Sequence, residues 1–266
     1  MSTTSFPHLS LGRPSPGVAV LTLDNPDQRN MMSEEMTASW VLAVDELAAD
    51  AEVRVVVVTG RGSAFCSGGN TGWIASEPDA SVDRLRTRML AFYRAWLSIR
   101  KLEVPTIAAI NGPAVGAGLC IALACDIRYA ARGAKLSVPF VKLGMHAGMA
   151  ATYLLPDVVG AAHARDLLLT GRTVADEEAL GLGLVSRVID PDGFDEEVLA
   201  VAQGVAATAP IASRYTKQAL LHASQGDFES CLQFEALAQP ATLTSADLQE
   251  GIRAMREKRS PDFRGV

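Results

Sequence analysis

Apolar positions along the chain follow two periods, and their alternation predicts a repeated strand-then-helix order. Gly17 to Leu23 alternates apolar and small residues, and Val53 to Thr59 reads VRVVVVT, a β-branched run suited to a buried strand. Between them Ser33 is a candidate N-cap with Glu34 and Glu35 in the first turn. It opens a helix whose Met36, Trp40, Val44 and Leu47 share one face. A charged segment from Ile74 to Asp83 precedes a second helix. There Leu85, Met89, Phe92, Trp96 and Ile99 recur at spacings of four and three, a core stripe. Val104 to Cys125 then passes 22 residues without a charge. Pro105, Asn111, Gly112, Pro113, Gly116 and Gly118 interrupt it, which excludes a membrane-spanning helix. It divides into a strand over Thr106 to Ile110, a turn at Asn111-Gly112-Pro113, and a buried helix opening near Gly116-Ala117-Gly118. Asp126 to Ala130 reads as another strand. Such β then α units imply right-handed crossovers and a mainly parallel stack, an α/β fold.

From about Ala161 helical patterns dominate: Ala161 to Leu169, Asp176 to Leu180, Asp195 to Thr208, Ile211 to His222 and Asp247 to Arg256. Leu184 to Ile189 is the only strand candidate there. No low-complexity linker and no internal repeat divides the chain.

The chemistry concentrates at two glycine-rich turns. A helix that starts inside an apolar interior offers unpaired backbone N–H groups, and glycines leave room for approach, so Gly116-Ala117-Gly118 suits an anion or a polarised carbonyl oxygen. The same glycines could serve packing alone. The second turn, Gly60-Arg61-Gly62-Ser63-Ala64-Phe65-Cys66-Ser67-Gly68-Gly69-Asn70, follows the valine-rich strand.

Several segments in order carry a resemblance that covers nearly the whole chain. They are Asp24-Asn25-Pro26-Asp27-Gln28-Arg29-Asn30, Phe65 to Asn70, Asn111 to Gly118 and Cys125-Asp126-Ile127, then Leu168 to Arg172, Gly183-Leu184-Val185 and Lys258 to Phe263. Together they resemble the enoyl-CoA hydratase/isomerase family, the crotonase superfamily. The resemblance implies a ββα spiral core over residues 1–195 that binds an acyl-CoA thioester, and a C-terminal helical region over 196–266 used for trimer assembly, as a homotrimer or a dimer of trimers. It also implies an oxyanion hole made by the N–H groups of Gly69 and Ala117, where negative charge on the thioester carbonyl would be stabilised. Arg29, Ser67, Gly68, Asn70, Gly116, Cys120, Phe140 and Lys258 are the implied substrate contacts, Lys258 through the phosphates of coenzyme A. No cofactor is implied beyond the coenzyme A of the substrate.

Two positions depart from that family. Its hydratases carry two glutamates, one on the helix after the oxyanion turn and one beyond the following loop. Here Cys120 and Phe140 stand at those positions, so water cannot be held between two carboxylates. A substrate bringing its own functional group, for decarboxylation or carbon–carbon cleavage, asks less of such a site than hydration does. A non-catalytic acyl-CoA-binding protein is the alternative from another class. A Ser-His hydrolase has no motif behind it. His146, in Leu143-Gly144-Met145-His146-Ala147-Gly148 ahead of a further helix, is the candidate proton-transfer residue, against a purely structural role. Ser67 reads as a turn residue, Asp126 as a structural carboxylate, Glu77 as solvated, and Cys120 as a buried thiol among Leu119, Ile121 and Leu123.

Composition adds limits. Of 266 residues 48% are hydrophobic and 20% charged, ample for a globular core. A net charge of −6 argues against nucleic acid as a partner. The basic run Arg253, Arg256, Lys258, Arg259 suits a helix end. Cys66, Cys120, Cys125 and Cys231 have no paired spacing, the four histidines are scattered, and no export signal opens the chain. The expected setting is the cytoplasm, away from membranes.

Overall fold

A computed structural model describes residues 2–223 and 226–266. Strands β1 (Ser2–Phe6), β2 (Leu9–Ser15) and β3 (Val18–Leu23) form an antiparallel meander at one edge. Helix α1 (Glu34–Ala49) crosses to β4 (Val55–Gly60), which pairs parallel to β3. A single turn, α2 (Thr71–Ile74), and α3 (Val82–Trp96) lead to β5 (Thr106–Ile110). Next come the two-residue β6 (Ala114–Val115), α4 (Ala117–Ala124), β7 (Ile127–Ala131) and β8 (Lys135–Ser137). The long α5 (Ala151–Thr170), β9 (Thr173–Ala175), α6 (Asp176–Gly181) and β10 (Arg187–Ile189) follow. The chain closes with α7 (Phe194–Ala206), α8 (Pro210–Ala223), α9 (Phe228–Leu243) and α10 (Ala246–Glu257). The seven-stranded sheet runs β1-β2-β3-β4-β5-β7-β10, parallel from β3 onward, and a three-stranded sheet runs β6-β8-β9.

The unbroken valine run of β4 has a direct cause. Val56 and Val58 enter the core shared with α1, α4 and α5, while Val55 and Val57 pack under α7 against Val18, Ile107, Phe194 and Val198. A strand covered on both faces has no polar side to alternate with. Ser33 caps α1 through its Oγ, which accepts from the Met36 N–H at 3.1 Å. The predicted Met36, Trp40, Val44 and Leu47 are all buried. The stripe of α3 is buried only at its end. Trp96 stacks against Trp40 with centroids 4.9 Å apart and donates from Nε1 to Thr37 Oγ1. Leu85 and Met89 remain partly exposed.

Four features differ from the sequence expectation. The N-terminal β1-β2 hairpin was not visible in an alternating pattern, because its register turns on His8 at φ +59°. Ala161 to Leu169 is the second half of α5, which begins at Ala151 and breaks at Gly160, φ +75°. Strand β9 corrects the reading of a single strand beyond Ala161; at three residues it is too short to show a period. Helix α9 buries none of its residues, so its apolar side chains trace no face, although its Asp227/Ser230 capping box marks its start.

The last residues are locked onto the helical region. Asp247, buried in α10, accepts from the N–H groups of Arg264 and Gly265. Glu250 accepts from Arg253, Arg259 and the Asp262 N–H; bonding to the Arg259 guanidinium first, and then to the other donors, holds its carboxyl well below the usual range. No described helix is long and apolar enough to cross a membrane.

Candidate active site at two abutting glycine turns

The two glycine-rich turns dock backbone to backbone. Cys66 and Ala114 bridge: the Phe65 and Cys66 N–H groups both donate to Pro113 O, and Val115 donates to Cys66 O. Contact this close requires bare glycine at Gly68, Gly112 and Gly118. A Cβ on Gly118 would lie 2.2 Å from Cys66 O. Gly68, at φ +96°, would place one 2.6 Å from Val115 O and 3.5 Å from the Ala117 nitrogen. The first turn therefore lies directly against the start of α4, with Gly69 next to Gly68 in the chain and Ala117 two residues beyond Val115.

Among the described residues neither the Gly69 N–H nor the Ala117 N–H has an acceptor. For Ala117 the reason is positional: it is the first residue of α4, where the intrahelical partner would be Pro113 O, and that carbonyl already receives two donors from the first turn. Gly69 is passed over by its own bridge to Met32, in which Met32 donates to Gly68 O. Two unpartnered donors on abutting turns, one at a helix N-terminus, have the chemistry to meet negative charge on an oxygen.

Several side chains hold the first turn in place. Asn30, fully buried at φ +54°, donates from Nδ2 to Ala64 O at 2.8 Å, Arg61 O at 3.0 Å and Phe65 O at 3.2 Å, while its Oδ1 accepts from the Asn25 N–H at 2.9 Å. Asn111 joins the turns from the other side, receiving from the Gly60 N–H and donating to Gly62 O. Both fall in segments quoted from the sequence, but neither was given this holding role there. A buried asparagine at a left-handed position was the available signal, since asparagine tolerates positive φ.

Of the implied contacts, Arg29 is exposed, and its carbonyl accepts the Ser67 N–H at 3.0 Å, which places it beside the first donor turn. Ser67 Oγ reaches only Gln28 O, at 3.4 Å. Asn70 spends its Oδ1 as the N-cap of α2, bonded to the Trp73 N–H at 3.0 Å. The Gly116 N–H is used by Ser137 O, and the Phe140 ring lies 3.9 Å from where a Gly116 Cβ would sit, so an aromatic wall flanks the second turn. Cys120 is fully buried, with its Sγ 4.0 Å from Gly148 O. Burial first, and the Cys66 thiol second, push its thiol up to about 12, which leaves it uncharged and no nucleophile. Lys258 is exposed and caps α10 in a left-handed conformation.

His146 does not stand at a helix entry. It lies in an irregular stretch five residues before α5, exposed, with Nδ1 2.7 Å from Ala147 O. Glu77 is not merely solvated either. It pairs with Arg84 and Arg88, and Arg88 lies 3.8 Å over the Trp73 ring, which fastens the segment after the first turn to α3. Bonding to Arg84 first holds the Glu77 carboxyl below its usual range. Beside this segment a groove of about 910 Å³ opens between α1 and α3, lined by Met32, Val41, Asn70, Trp73 and Phe92.

Comparison with known proteins identifies the family. Residues 13–266 match the family model described as enoyl-CoA hydratase/isomerase. A putative enoyl-CoA hydratase of Thermus thermophilus is 40% identical, the match covering 92% of this chain and 97% of that protein. An (E)-benzylidenesuccinyl-CoA hydratase of Thauera aromatica is 36% identical, over 94% and 96%. The crystal structure of an enoyl-CoA hydratase from Bacillus anthracis superposes with a TM-score of 0.92 at 31% identity, covering 98% of this chain and all of the other. By sequence along nearly its whole length and by a fold shared with solved relatives, the chain belongs to the enoyl-CoA hydratase/isomerase family, the crotonase fold.

Proposed function

We propose that the protein is an enzyme that binds an acyl-CoA thioester and stabilises its enolate through the N–H groups of Gly69 and Ala117. The observation that carries this reading is the pair of unpartnered donors on abutting turns. Removing or adding a proton beside a thioester puts negative charge on the carbonyl oxygen. Fixed donors meet that charge without reorganising, and one such donor is worth roughly 3–4 kcal/mol in the transition state. Exposed Arg29 beside the turn, whose side chain has no partner among the described residues, supplies positive charge for coenzyme A phosphates. The reaction is one in which the substrate contributes a carboxylate, keto group or ring, as in decarboxylation or carbon–carbon cleavage. Cys120 is buried and protonated, and Phe140 is apolar, so neither can activate water.

Binding of cinnamoyl-CoA tests the oxyanion assignment. Donors at the carbonyl oxygen stabilise its charge-separated excited state, so the bound absorbance should move to longer wavelength. Gly69→Ala keeps the N–H and meets only the flexible end of Ile74, at 3.3 Å, so it should keep the shift. Gly69→Pro removes the donor and should abolish it. A shift of equal size in both variants would show that Gly69 is not a donor.

We further propose that the chains assemble as a trimer or a dimer of trimers through the C-terminal helices. Leu220, Phe228, Leu237 and Met255 are 69%, 82%, 79% and 72% exposed there, far more large apolar surface than a solvated helix face carries. Light scattering at micromolar concentration should give three or six chain masses, and a single-chain mass would contradict the assignment.

A further inference from the structure

Resting on the oxyanion reading, we propose that the Tyr93 hydroxyl is the proton donor to the α-carbon of the bound enolate. Tyr93 sits on α3, and its phenol projects against the loop ahead of α5. A Cβ on Gly148 would lie 2.5 Å from the hydroxyl oxygen and 3.0 Å from Cζ, so the absence of a side chain at Gly148 is what admits the phenol. The carbonyl of that same glycine lies 4.0 Å from Cys120 Sγ. Cys120 is on the face of α4 three residues beyond the donor Ala117, and helix side chains lean toward the N-terminus. Tyr93 thus meets Gly148, Gly148 lies beside Cys120, and Cys120 stands about one helical turn from Ala117, so a chain of neighbours joins the phenol to the second donor. The thioester α-carbon is two bonds from the oxygen held at that donor.

The hydroxyl is also unspent. It makes no hydrogen bond to any described residue, although a partly buried phenol usually finds a partner. Burial first, and then the Cys120 thiol, raise the phenol above its ordinary range, which keeps it a neutral donor at physiological pH. In the step itself the enolate carbon–carbon π pair forms the new C–H bond and the thioester carbonyl is restored. The O–H bond breaks with its electron pair left on the phenolate oxygen, and water returns a proton to that oxygen. One phenol supplies one proton and holds no second water, which suits a reaction whose other half is done by the substrate.

The reverse step, removal of an α-proton by the phenolate, is measurable without knowing the natural substrate. The protein incubated with phenylacetyl-CoA in D₂O should incorporate deuterium at the α-carbon, followed by mass spectrometry. Tyr93→Phe should slow this at least about 10²-fold while leaving the cinnamoyl-CoA absorbance shift unchanged. The wild-type rate should climb through pH 10, because the phenolate is the base. Cys120, on α4, is the titratable group acting on the phenol; its thiol, pushed up to about 12, stays uncharged there. Gly148→Ala displaces the hydroxyl while keeping it, and should lower exchange with Tyr93 intact. Unchanged exchange in Tyr93→Phe or in Gly148→Ala overturns the assignment, as does wild-type exchange no faster than solvent while the absorbance shift is present. Absence of the shift in the wild type would instead overturn the oxyanion reading itself.

Discussion

Crotonyl-CoA mixed with this protein should lose its enoyl absorbance at least about 10⁴-fold more slowly than with a relative that carries both glutamates. General acid and base groups contribute roughly 10²- to 10⁴-fold each, and both positions here lack a proton-transfer group suited to water. Cys120 is enclosed, with its thiol pushed up to about 12, so it offers neither an anion nor access. Phe140 presents a ring beside Gly116, which excludes water from the position where a carboxylate would hold it. The N–H groups of Gly69 and Ala117, the proposed donors, have no acceptor among the described residues, so crotonyl-CoA should still bind. The contrast between binding and turnover is the measurement that matters. Hydration at the rate of a two-glutamate enzyme would mean that other side chains supply both roles, and the reading of a substrate-assisted reaction would fall.

Asn30→Ala should destabilise the protein by roughly 4 kcal/mol or more, measured by urea unfolding. The substitution leaves the carbonyls of Ala64 and Phe65 and the Asn25 N–H without their partner in a buried setting, and exposes Arg61 O to the same loss in part. Each buried group left unpaired costs about 1–3 kcal/mol, and alanine fits the φ of +54° less well than asparagine. Domain stabilities of about 5–15 kcal/mol make that a large fraction of the whole. Because those carbonyls belong to the turn that presents Gly69, the cinnamoyl-CoA shift should weaken at denaturant concentrations where the wild type is unaffected. A loss under about 1 kcal/mol would show that water replaces the side chain and that Asn30 does not hold the turn.

Much of the architecture was legible in the order of residues. The strand at Thr106–Ile110, the helix opening at Ala117 and the Ser33 cap follow from local chemistry: β-branched runs, a glycine-proline turn and a hydroxyl before two acids. The motifs also nominated Gly69 and Ala117 as the donor pair and put Cys120 and Phe140 where the family resemblance expects carboxylates, because each is a statement about residue identity at a position. Elements without a period escaped: the short β6, β8 and β9, and α9, whose apolar residues trace no face toward this chain's own core.

What the tertiary structure alone decided is which groups meet. Asn30 and Ala64 are 34 residues apart, and their bond exists only because the chain between them crosses as α1 and returns in β4. His146 looked poised for proton transfer in the sequence, yet the loop turns its ring outward, while Tyr93, an unremarked residue beside a core stripe, is brought against Gly148 by the packing of α3. A sequence fixes the chemistry each residue can offer and the periods that build helices and strands. Proximity across the fold depends on how those elements stack, and a site made from separate turns is a property of the stack.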